Sequence, residues 1–444
     1  MKALILAVAL AGAAPQNDSI PDFSKPWDLE QCTQWAMEHN LTVMQQAVST
    51  ELKAVDENTA KYSWLPSVAA RASQNWSFGR GLGGDNTYQY GNTANTDLSI
   101  GASMTLFDGL ATPNRIKLAR LNLDAATEDL EKARDDIRVA VAKAYVQILY
   151  NYEIQDVARE QLRIDSLQVE RLEGLLSVGR ASAADVSQQK ASLAQSRVTF
   201  IQAGNNVRTS LLDLAQLLEF PQWEGFSIVR PQPELRELYL GHPDDIYAQA
   251  IQSRPAIRAE QLRLDGTDYS LKVAQSGYYP RLSLSAGLGS NYYPGFSSYG
   301  FWDQLGANFQ QYIGLSLEIP IFDRLTTRNQ VRTAKLQRQS QVLQLRRAKQ
   351  TLYKEIQQAW NAAVAADAKY SAAQDAVLAA QDAFTLVEAK YENGKATFTE
   401  FNEARNRLLK AKSDAVQATY EYMFQASLLN FYRDGTCVSL QRYE

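Results

Sequence analysis

The chain has 444 residues, a length that suits two ordinary domains or one elongated object. Its 45 basic side chains against 49 acidic ones leave no basic excess, which argues against a nucleic-acid-binding function. The cysteines, Cys32 and Cys437, and the histidines, His39 and His242, lie far apart without the spacing of a metal site, so no metal is expected. A disulfide and two separate thiols are both open alternatives for the cysteines.

The beginning of the chain has the pattern of a secretory signal. Lys2 precedes an apolar run over 3–10, and small residues follow at 11–14. A charged start, an apolar centre and a small-residue end are typical of a cleaved signal peptide, which we predict over 1–13 with its cleavage position open. A buried N-terminal helix is the alternative, but the segment 15–26 is polar and contains proline. Beyond it, no run of about 18 apolar residues occurs, so no transmembrane helix is predicted.

The chain carries an internal repeat. Phe107 in the first half corresponds to Phe322 in the second, 215 positions further on, and the same offset maps Gly179 onto Gly394. We call this distance the repeat offset. A repeat over so much of the chain predicts the same architecture in both halves. The predicted division is a first structural repeat over 28–219, a linker over 220–243 and a second structural repeat over 244–434.

Each repeat contains two segments in which apolar and polar residues alternate. In the segment 97–107, for example, Leu98 and Ile100 face one way while Ser99 and Gly101 face the other. A period of two over about ten residues predicts β-strands. We predict four strands, paired as one hairpin in each repeat, over 68–78, 97–107, 281–290 and 312–322.

Two environments fit these strands. In a soluble sandwich the apolar face would pack on a core, whereas in an outer-membrane barrel it would meet lipid. Ten residues cross a bilayer when tilted, aromatic residues gather near the strand ends, and the export signal adds to the case for a barrel. Four strands cannot close a barrel, and an open edge is costly in lipid. The chain must therefore oligomerise, and a trimer would supply twelve strands.

The remainder of the chain is predicted to form helices of unusual length. From about 329 to 391 there is no proline or glycine, and apolar or small residues recur every three or four positions, as in a coiled-coil seam. Such a helix spans about 100 Å, a reach that suits the periplasm. The first repeat keeps this seam but places Asn151, Gln155 and Asp165 in it. The predicted long helices are 113–178, 183–218, 329–391 and 399–432.

The motifs that join these elements resemble the TolC-like outer-membrane efflux protein family. They are Trp-Leu-Pro-Ser-Val at 64–68 and Tyr-Pro-Arg-Leu at 279–282 before the strands, and two helix-tip turns at 178–186 and 391–401. As an ordered and duplicated set these motifs are specific, although each one alone is weak. The resemblance implies a mixed α and β membrane protein. In it, two β-hairpins per chain contribute to a trimeric twelve-strand barrel, and the long helices form a periplasmic α-helical barrel.

The resemblance also implies a function. The chain would be the outer-membrane exit duct of a tripartite efflux or type I secretion system, as a homotrimer that meets a periplasmic adaptor protein and an inner-membrane pump of the resistance-nodulation-division or ABC type. The exported substrate and the pump class stay open. The alternative is an exported periplasmic coiled-coil structural or adaptor protein, which explains the helices but not the strands. No catalytic set of residues and no cofactor motif is present, so no enzyme is predicted.

A gate at the helix tips is a further implication of the resemblance. In the family, a tyrosine and an arginine close around an aspartate of the facing hairpin. By motif position, Tyr391 and Asp185 match that lock, but the arginine position is Ala396, and Lys395 beside it is the alternative cation. Whether the resting tip is closed stays open.

Two acidic residues match the rings that constrict the entrance in the family, Glu400 and Glu403. Three copies of such carboxylates around an axis would favour cations. The alternative is that both are ordinary solvated residues of a first helical turn, where the helix dipole favours acids.

The tip turns are also candidates for contact with an adaptor, because their small residues allow close approach. For the two glycines, a helix C-cap is an alternative that accounts for them alone. The candidate residues are Gly179, Arg180, Ala181, Gly394, Ala396 and Thr397.

Overall fold

The computed structural model describes residues 25–82, 87–231, 241–294 and 299–435. The predicted signal peptide at 1–13 and Cys437 lie outside the described residues, so the signal stays a prediction and the pairing of the cysteines stays open. Cys32 is buried, and this burial raises the pKa of its thiol to about 12. None of the helices in the described ranges has the length and apolar character that a membrane crossing requires.

Long helices dominate the described chain. In chain order the helices are α1 Leu29–His39, α2 Leu41–Tyr62, α3 Ala111–Ser177, α4 Ala183–Leu217, α5 Pro243–Ser253, α6 Pro255–Gln275, α7 Phe301–Ala307, α8 Thr326–Glu392 and α9 Phe398–Asp434. Both α3 and α8 have 67 residues, which corresponds to about 100 Å of helix. The bounds of the four long helices lie within a few residues of those expected from the coiled-coil seam. The division of the chain into two structural repeats and a linker stays a prediction.

The break between α1 and α2 lies at Asn40. Asn40 has an extended backbone, and its side-chain oxygen accepts a hydrogen bond from the Thr42 amide at 2.9 Å. Its amide nitrogen donates to the Leu217 carbonyl at 3.0 Å. Asparagine side chains compete in this way with helical hydrogen bonds, so the helix ends and a new one begins.

The four strands form one antiparallel sheet in the order β1-β2-β3-β4. Their bounds are β1 Ser67–Leu82, β2 Tyr88–Phe107, β3 Arg281–Tyr292 and β4 Gln310–Glu318. The two hairpins, one from each repeat, join through pairing of β2 with β3, which contains a register shift between Thr105 and Phe107. The prediction of two hairpins in a mixed α and β fold is confirmed.

The register places residues of one character in rows across all four strands. One row consists of Val68, Ala102, Ala286 and Ile313. The neighbouring row consists of Ser67, Ser103, Ser285 and Gly314. Because successive side chains in a strand point to opposite faces, these rows give the sheet one apolar and one polar face.

Several strand bounds differ from those expected. The glycine- and asparagine-rich segment after residue 78 continues the first hairpin, with Gly79 paired to Gly91 and Arg80 to Tyr90. Backbone pairing with a neighbouring strand outweighs the low strand propensity of this composition. The prediction that the last strand runs to 322 is wrong, because β4 ends at Glu318. Pro320 follows two residues later and lacks the amide hydrogen that the ladder needs.

By its internal contacts the chain divides into two compact units, and each contains parts of both repeats. Within the described residues, the first unit comprises 25–43, 134–231, 241–246 and 356–435. Its core includes Tyr145, Ile148, Leu149, Leu214 and Leu218, all nearly inaccessible to solvent. The Tyr145 hydroxyl donates to the Val229 carbonyl at 2.6 Å, so the segment after α4 is anchored to this core.

The second unit comprises 44–133 and 247–355 and contains the sheet. Its strands leave large apolar side chains exposed. On β4, the exposed fractions are 82% for Ile313, 68% for Leu315 and 61% for Leu317. A contiguous apolar face of this kind indicates a surface that meets something other than water.

Candidate functional site at the helix tips

Two turns of the same construction end the long helices of the first unit. Gly179 follows α3 with φ of 73°, and Gly394 follows α8 with φ of 71°. The Gly179 amide donates to the Leu176 carbonyl at 3.0 Å, and the Arg180 amide donates to the Leu175 carbonyl at 2.8 Å. This is the Schellman pattern, in which a left-handed residue satisfies the last carbonyl groups of a helix.

The two glycines are therefore explained by backbone conformation. A β-carbon built at either position would meet no atom within 4 Å, so space does not require glycine there. The left-handed φ does, because a β-carbon is costly in that region. Contact with an adaptor stays a prediction for both residues.

The helices that leave the turns begin with capping boxes. The Asp185 amide donates to Ser182 Oγ at 3.1 Å, and the Glu400 amide donates to Thr397 Oγ1 at 3.2 Å. In return, the Thr397 amide donates to Glu400 Oε2 at 2.7 Å. The sequence patterns Ser-x-x-Asp and Thr-x-x-Glu are the usual signature of this motif. Asp185 and Glu400, both candidates for the gate, thus also hold the turns in shape.

The acidic residues of α9 share one groove on the α8–α9 hairpin. Hydrogen bonds from the Thr397 amide and hydroxyl hold the pKa of Glu400 below its ordinary value, so this carboxylate is ionised at neutral pH. Glu403 lies 3.8 Å from Arg407 Nη2, in an exposed ion pair. The groove has a volume of about 270 Å³ and is lined by Glu400 and Glu403 together with Ala380, Ala383, Val387, Ala404 and Arg407.

Tyr391 lies in an aromatic cluster at the base of the second turn. Its ring stacks on Phe401 with centroids 4.9 Å apart and lies 6.3 Å from the ring of Phe398. Burial raises the pKa of the phenol, the charge of Asp185 raises it further, and Arg171 and a hydrogen bond with the Gln168 side chain lower it. The structure therefore brings Tyr391 and Asp185 within electrostatic reach of each other.

The remaining tip candidates lie on the surface. Lys395 and Arg180 are exposed, and Ala396 and Ala181 are half-buried. Lys395 makes no ion pair with Asp185 within the described ranges, whereas Arg171 Nη1 of α3 lies 3.2 Å from Glu392 Oε1 of α8.

A buried polar cluster, which we call the Asp165 cluster, lies further from the tip and was noted in the sequence only as a departure from the seam. Asp165 is completely buried. It accepts hydrogen bonds from Gln161 Nε2 at 2.7 Å and Gln189 Nε2 at 2.9 Å, and also from the Ser196 hydroxyl and the Arg405 guanidinium. The cluster joins α3, α4 and α9 in one network.

This architecture is that of solved outer-membrane channels. The crystal structure of VceC from Vibrio cholerae matches with a TM-score of 0.78 at 21% sequence identity, over 93% of this chain and 97% of that one. A model of the family described as "Outer membrane efflux protein" matches residues 34–218 and 246–429. The chain belongs to this family.

Curated relatives extend over most of the chain. The outer membrane efflux protein BepC of Brucella suis is 24% identical over 380 residues, which are 84% of this chain and 79% of BepC. The outer membrane protein TolC of Escherichia coli is 24% identical over 366 residues, 77% of this chain and 71% of TolC.

Family membership settles the location and the class of activity. The protein is an outer-membrane efflux channel that extends into the periplasm, as the resemblance of its motifs implied. Members of the family are transport conduits, so the protein is not an enzyme. They are outer-membrane components of tripartite efflux systems and form trimeric channels.

Proposed function

We propose that three copies of this chain close a twelve-strand barrel in outer-membrane lipid, continued by an α-helical barrel in the periplasm. The assembly is the exit duct for a periplasmic adaptor and an inner-membrane pump of the resistance-nodulation-division or ABC type. The observation that carries the proposal is the four-stranded sheet, in which β1 and β4 are edges and the apolar face is exposed.

The sheet explains why assembly is needed. Unpaired backbone groups at a strand edge cost several kcal/mol each in hydrocarbon, on the order of the cost of burying a polar group. Pairing β4 of one copy with β1 of the next removes both edges, and a head-to-tail contact of this kind closes a ring. The apolar row of Val68, Ala102, Ala286 and Ile313 then faces lipid, and the serine row faces the lumen.

The tip turns of the first unit form the periplasmic entrance in this proposal. Glu400 and Glu403 supply acidic rings, and their ionised carboxylates favour cations. Tyr391 and Asp185 are the proposed lock of the tip, with Lys395 as the candidate cation, and the charge of Asp185 reaches the Tyr391 phenol and raises its pKa. The turn residues that meet the adaptor are Gly179, Arg180, Ala181, Gly394, Ala396 and Thr397.

The test is single-channel recording of the purified protein in a planar bilayer. We expect small, cation-selective openings, and weaker cation selectivity in the double variant Glu400→Gln, Glu403→Gln. Glutamine keeps an acceptor for the capping hydrogen bonds but removes the charge. The matched control is Thr397→Ala, which removes the cap and leaves both charges in place.

Each outcome separates a different part of the proposal. If the glutamine variant keeps full cation selectivity, the proposed role of Glu400 and Glu403 as acidic rings is wrong, while the proposed exit duct stands. If the wild-type protein neither conducts nor migrates as an SDS-resistant trimer, the duct is wrong. Release of the protein from membranes by carbonate washing would then favour the periplasmic coiled-coil alternative.

A further inference from the structure

We propose that the ion pair between Asp165 and Arg405 is a buried clamp that holds α9 against the α3–α4 hairpin and so sets the resting closure of the tunnel entrance. The inference rests on the proposed function as an exit duct. Asp165 and Arg405 lie away from the tip turns, and the helices do not need their charges in order to pack.

The burial of this pair distinguishes it from the other ion pairs of the hairpins. The exposed fraction of the side chain is 0% for Asp165 and 6% for Arg405. In the pair of Arg171 with Glu392, which also joins the two hairpins, the fractions are 47% and 51%. Exposed pairs are screened by water and contribute little, whereas removing one partner of a buried pair leaves an uncompensated charge.

Comparison of the two repeats shows that the fold does not need this cluster. The repeat offset maps Gln161, Asp165, Gln189 and Ser196 of the first hairpin onto four alanines of the second. These are Ala376, Ala380, Ala404 and Ala411. Since α8 and α9 form the same hairpin with alanine at every one of these positions, the charged cluster has a purpose beyond joining two helices.

The position of Arg405 links the clamp to the entrance. Arg405 lies on α9 two residues after Glu403, and its guanidinium lies 5.9 Å from the ring centroid of Phe401. Phe401 in turn stacks on Tyr391 at 4.9 Å. Any movement of α9 away from α3 and α4 therefore carries the acidic residues and the aromatic cluster with it.

The incomplete hydrogen bonding of the Asp165 cluster favours separation of α9 from α3 and α4. Four buried polar atoms around it, Gln161 Oε1, Gln189 Oε1, Asn402 Oδ1 and Arg405 Nε, have no hydrogen-bond partner among the described residues. Unsatisfied groups offset part of the stabilisation that the ion pair supplies. A polar cavity of about 350 Å³, lined in part by Gln161, Asn402 and Arg405, adjoins the pair and gives water a route to both charges when the helices part.

The experiment compares single-channel recordings of the full-length protein and three variants. In Asp165→Asn the charge is lost and the size is kept, so Arg405 is left buried without a counter-ion. We expect the open fraction to rise about tenfold or more, because an unpaired buried charge shifts a two-state equilibrium strongly. The matched control is Glu160→Gln, which removes the exposed pair of Glu160 with Arg163 on the same helix and leaves the open fraction unchanged.

A second variant keeps the test decisive if Asp165→Asn fails to assemble. The double variant Asp165→Asn, Arg405→Met removes both charges, so it should assemble, and because the ion pair is absent its open fraction should stay above that of the wild type. Hydrogen exchange gives an independent measurement. The amides of 398–405 should exchange faster in Asp165→Asn than in Glu160→Gln, and they should also exchange faster in the double variant than in Glu160→Gln.

The outcomes distinguish the clamp from the duct. If the wild-type protein conducts and Asp165→Asn has the same open fraction and the same exchange rates, the clamp is wrong and the duct stands. The clamp is also wrong if the double variant gates like the wild type, since the opening of Asp165→Asn would then come from the unpaired charge of Arg405 and not from loss of the ion pair. If the wild-type protein does not conduct at all, the proposed function fails before the clamp is in question.

Discussion

The helical core of the first unit and the sheet of the second unit use apolar residues in opposite ways. In the core, side chains such as Leu214 and Ile148 are completely buried by the chain itself. In the sheet, Ile313 and Leu315 remain 82% and 68% exposed, and both edge strands lack a neighbour on one side. One region is complete within a single chain, whereas in the proposed assembly the other is completed by lipid and further copies.

Substitutions in the two regions should therefore act at different stages. Burial within the chain stabilises the fold before any assembly, because apolar surface leaves water during folding. An exposed apolar face contributes only when the chain inserts into the membrane. Variants of the helical core should therefore impair folding, and variants of the sheet should impair membrane insertion.

The largest expected effect is in the helical core. Leu214→Ala should lower the free energy of unfolding by about 2–5 kcal/mol, since it removes a buried side chain and leaves a cavity. The measurement is thermal unfolding of the detergent-solubilised protein by circular dichroism. Leu212→Ala on the same helix is the matched control, because Leu212 is 43% exposed. Equal losses for the two variants would contradict the assignment of the core.

A smaller effect, at a later step, is expected in the sheet. Leu315→Arg on the apolar face should cost about 2–4 kcal/mol at the bilayer midplane and reduce the amount of trimer in the outer membrane. Ser316→Arg, on the opposite face, should insert normally and alter only conductance. The amounts of heat-modifiable trimer in outer-membrane fractions compare the two. Normal insertion of Leu315→Arg would mean that this face does not meet lipid.

The helix tips should show a weaker and local effect. Thr397→Ala removes an N-cap hydroxyl that receives the Glu400 amide, which costs about 1 kcal/mol. Hydrogen exchange should accelerate in the first turn of α9 and not in the core helices. Thr399→Ala, two residues after the capping residue Thr397, serves as the comparison. A global change in exchange would indicate that the tip and the core unfold as one unit.

The smallest effect is the pH dependence of the same turn. Hydrogen bonds from Thr397 depress the pKa of Glu400 relative to the unfolded chain. A depressed carboxyl pKa contributes stability that is present above the unfolded value, about 4.3, and is lost as pH falls through the lower folded value. The protection of the amides in the first turn of α9, measured as exchange relative to an unstructured chain at the same pH, should therefore decrease in acid, and Glu400→Gln should remove this dependence. An unchanged acid profile in that variant would assign the effect to another group.

Local patterns in the sequence were sufficient to predict the helices, the strands and the tip turns. The alternation around Ile100 and the seam around Ile356 follow from the periods of strand and helix, which depend only on neighbouring residues. The capping motifs at Ser182 and Thr397 are equally local, because three residues complete them. The end of β4 was misplaced because Pro320 removes one hydrogen bond that the alternating pattern does not register.

The repeat, the long helices, the two hairpins and the family can be read from the amino-acid sequence, since each depends on periodicity or on short motifs within one segment. The burial of Asp165 against Arg405 is visible only in the folded molecule. The two residues are 240 positions apart and lie on different helices, and neither has a neighbour in the sequence that indicates the other. Pairing of distant charges depends on how the helices pack in three dimensions. Each charge needs the other only once the packed helices have removed both from water.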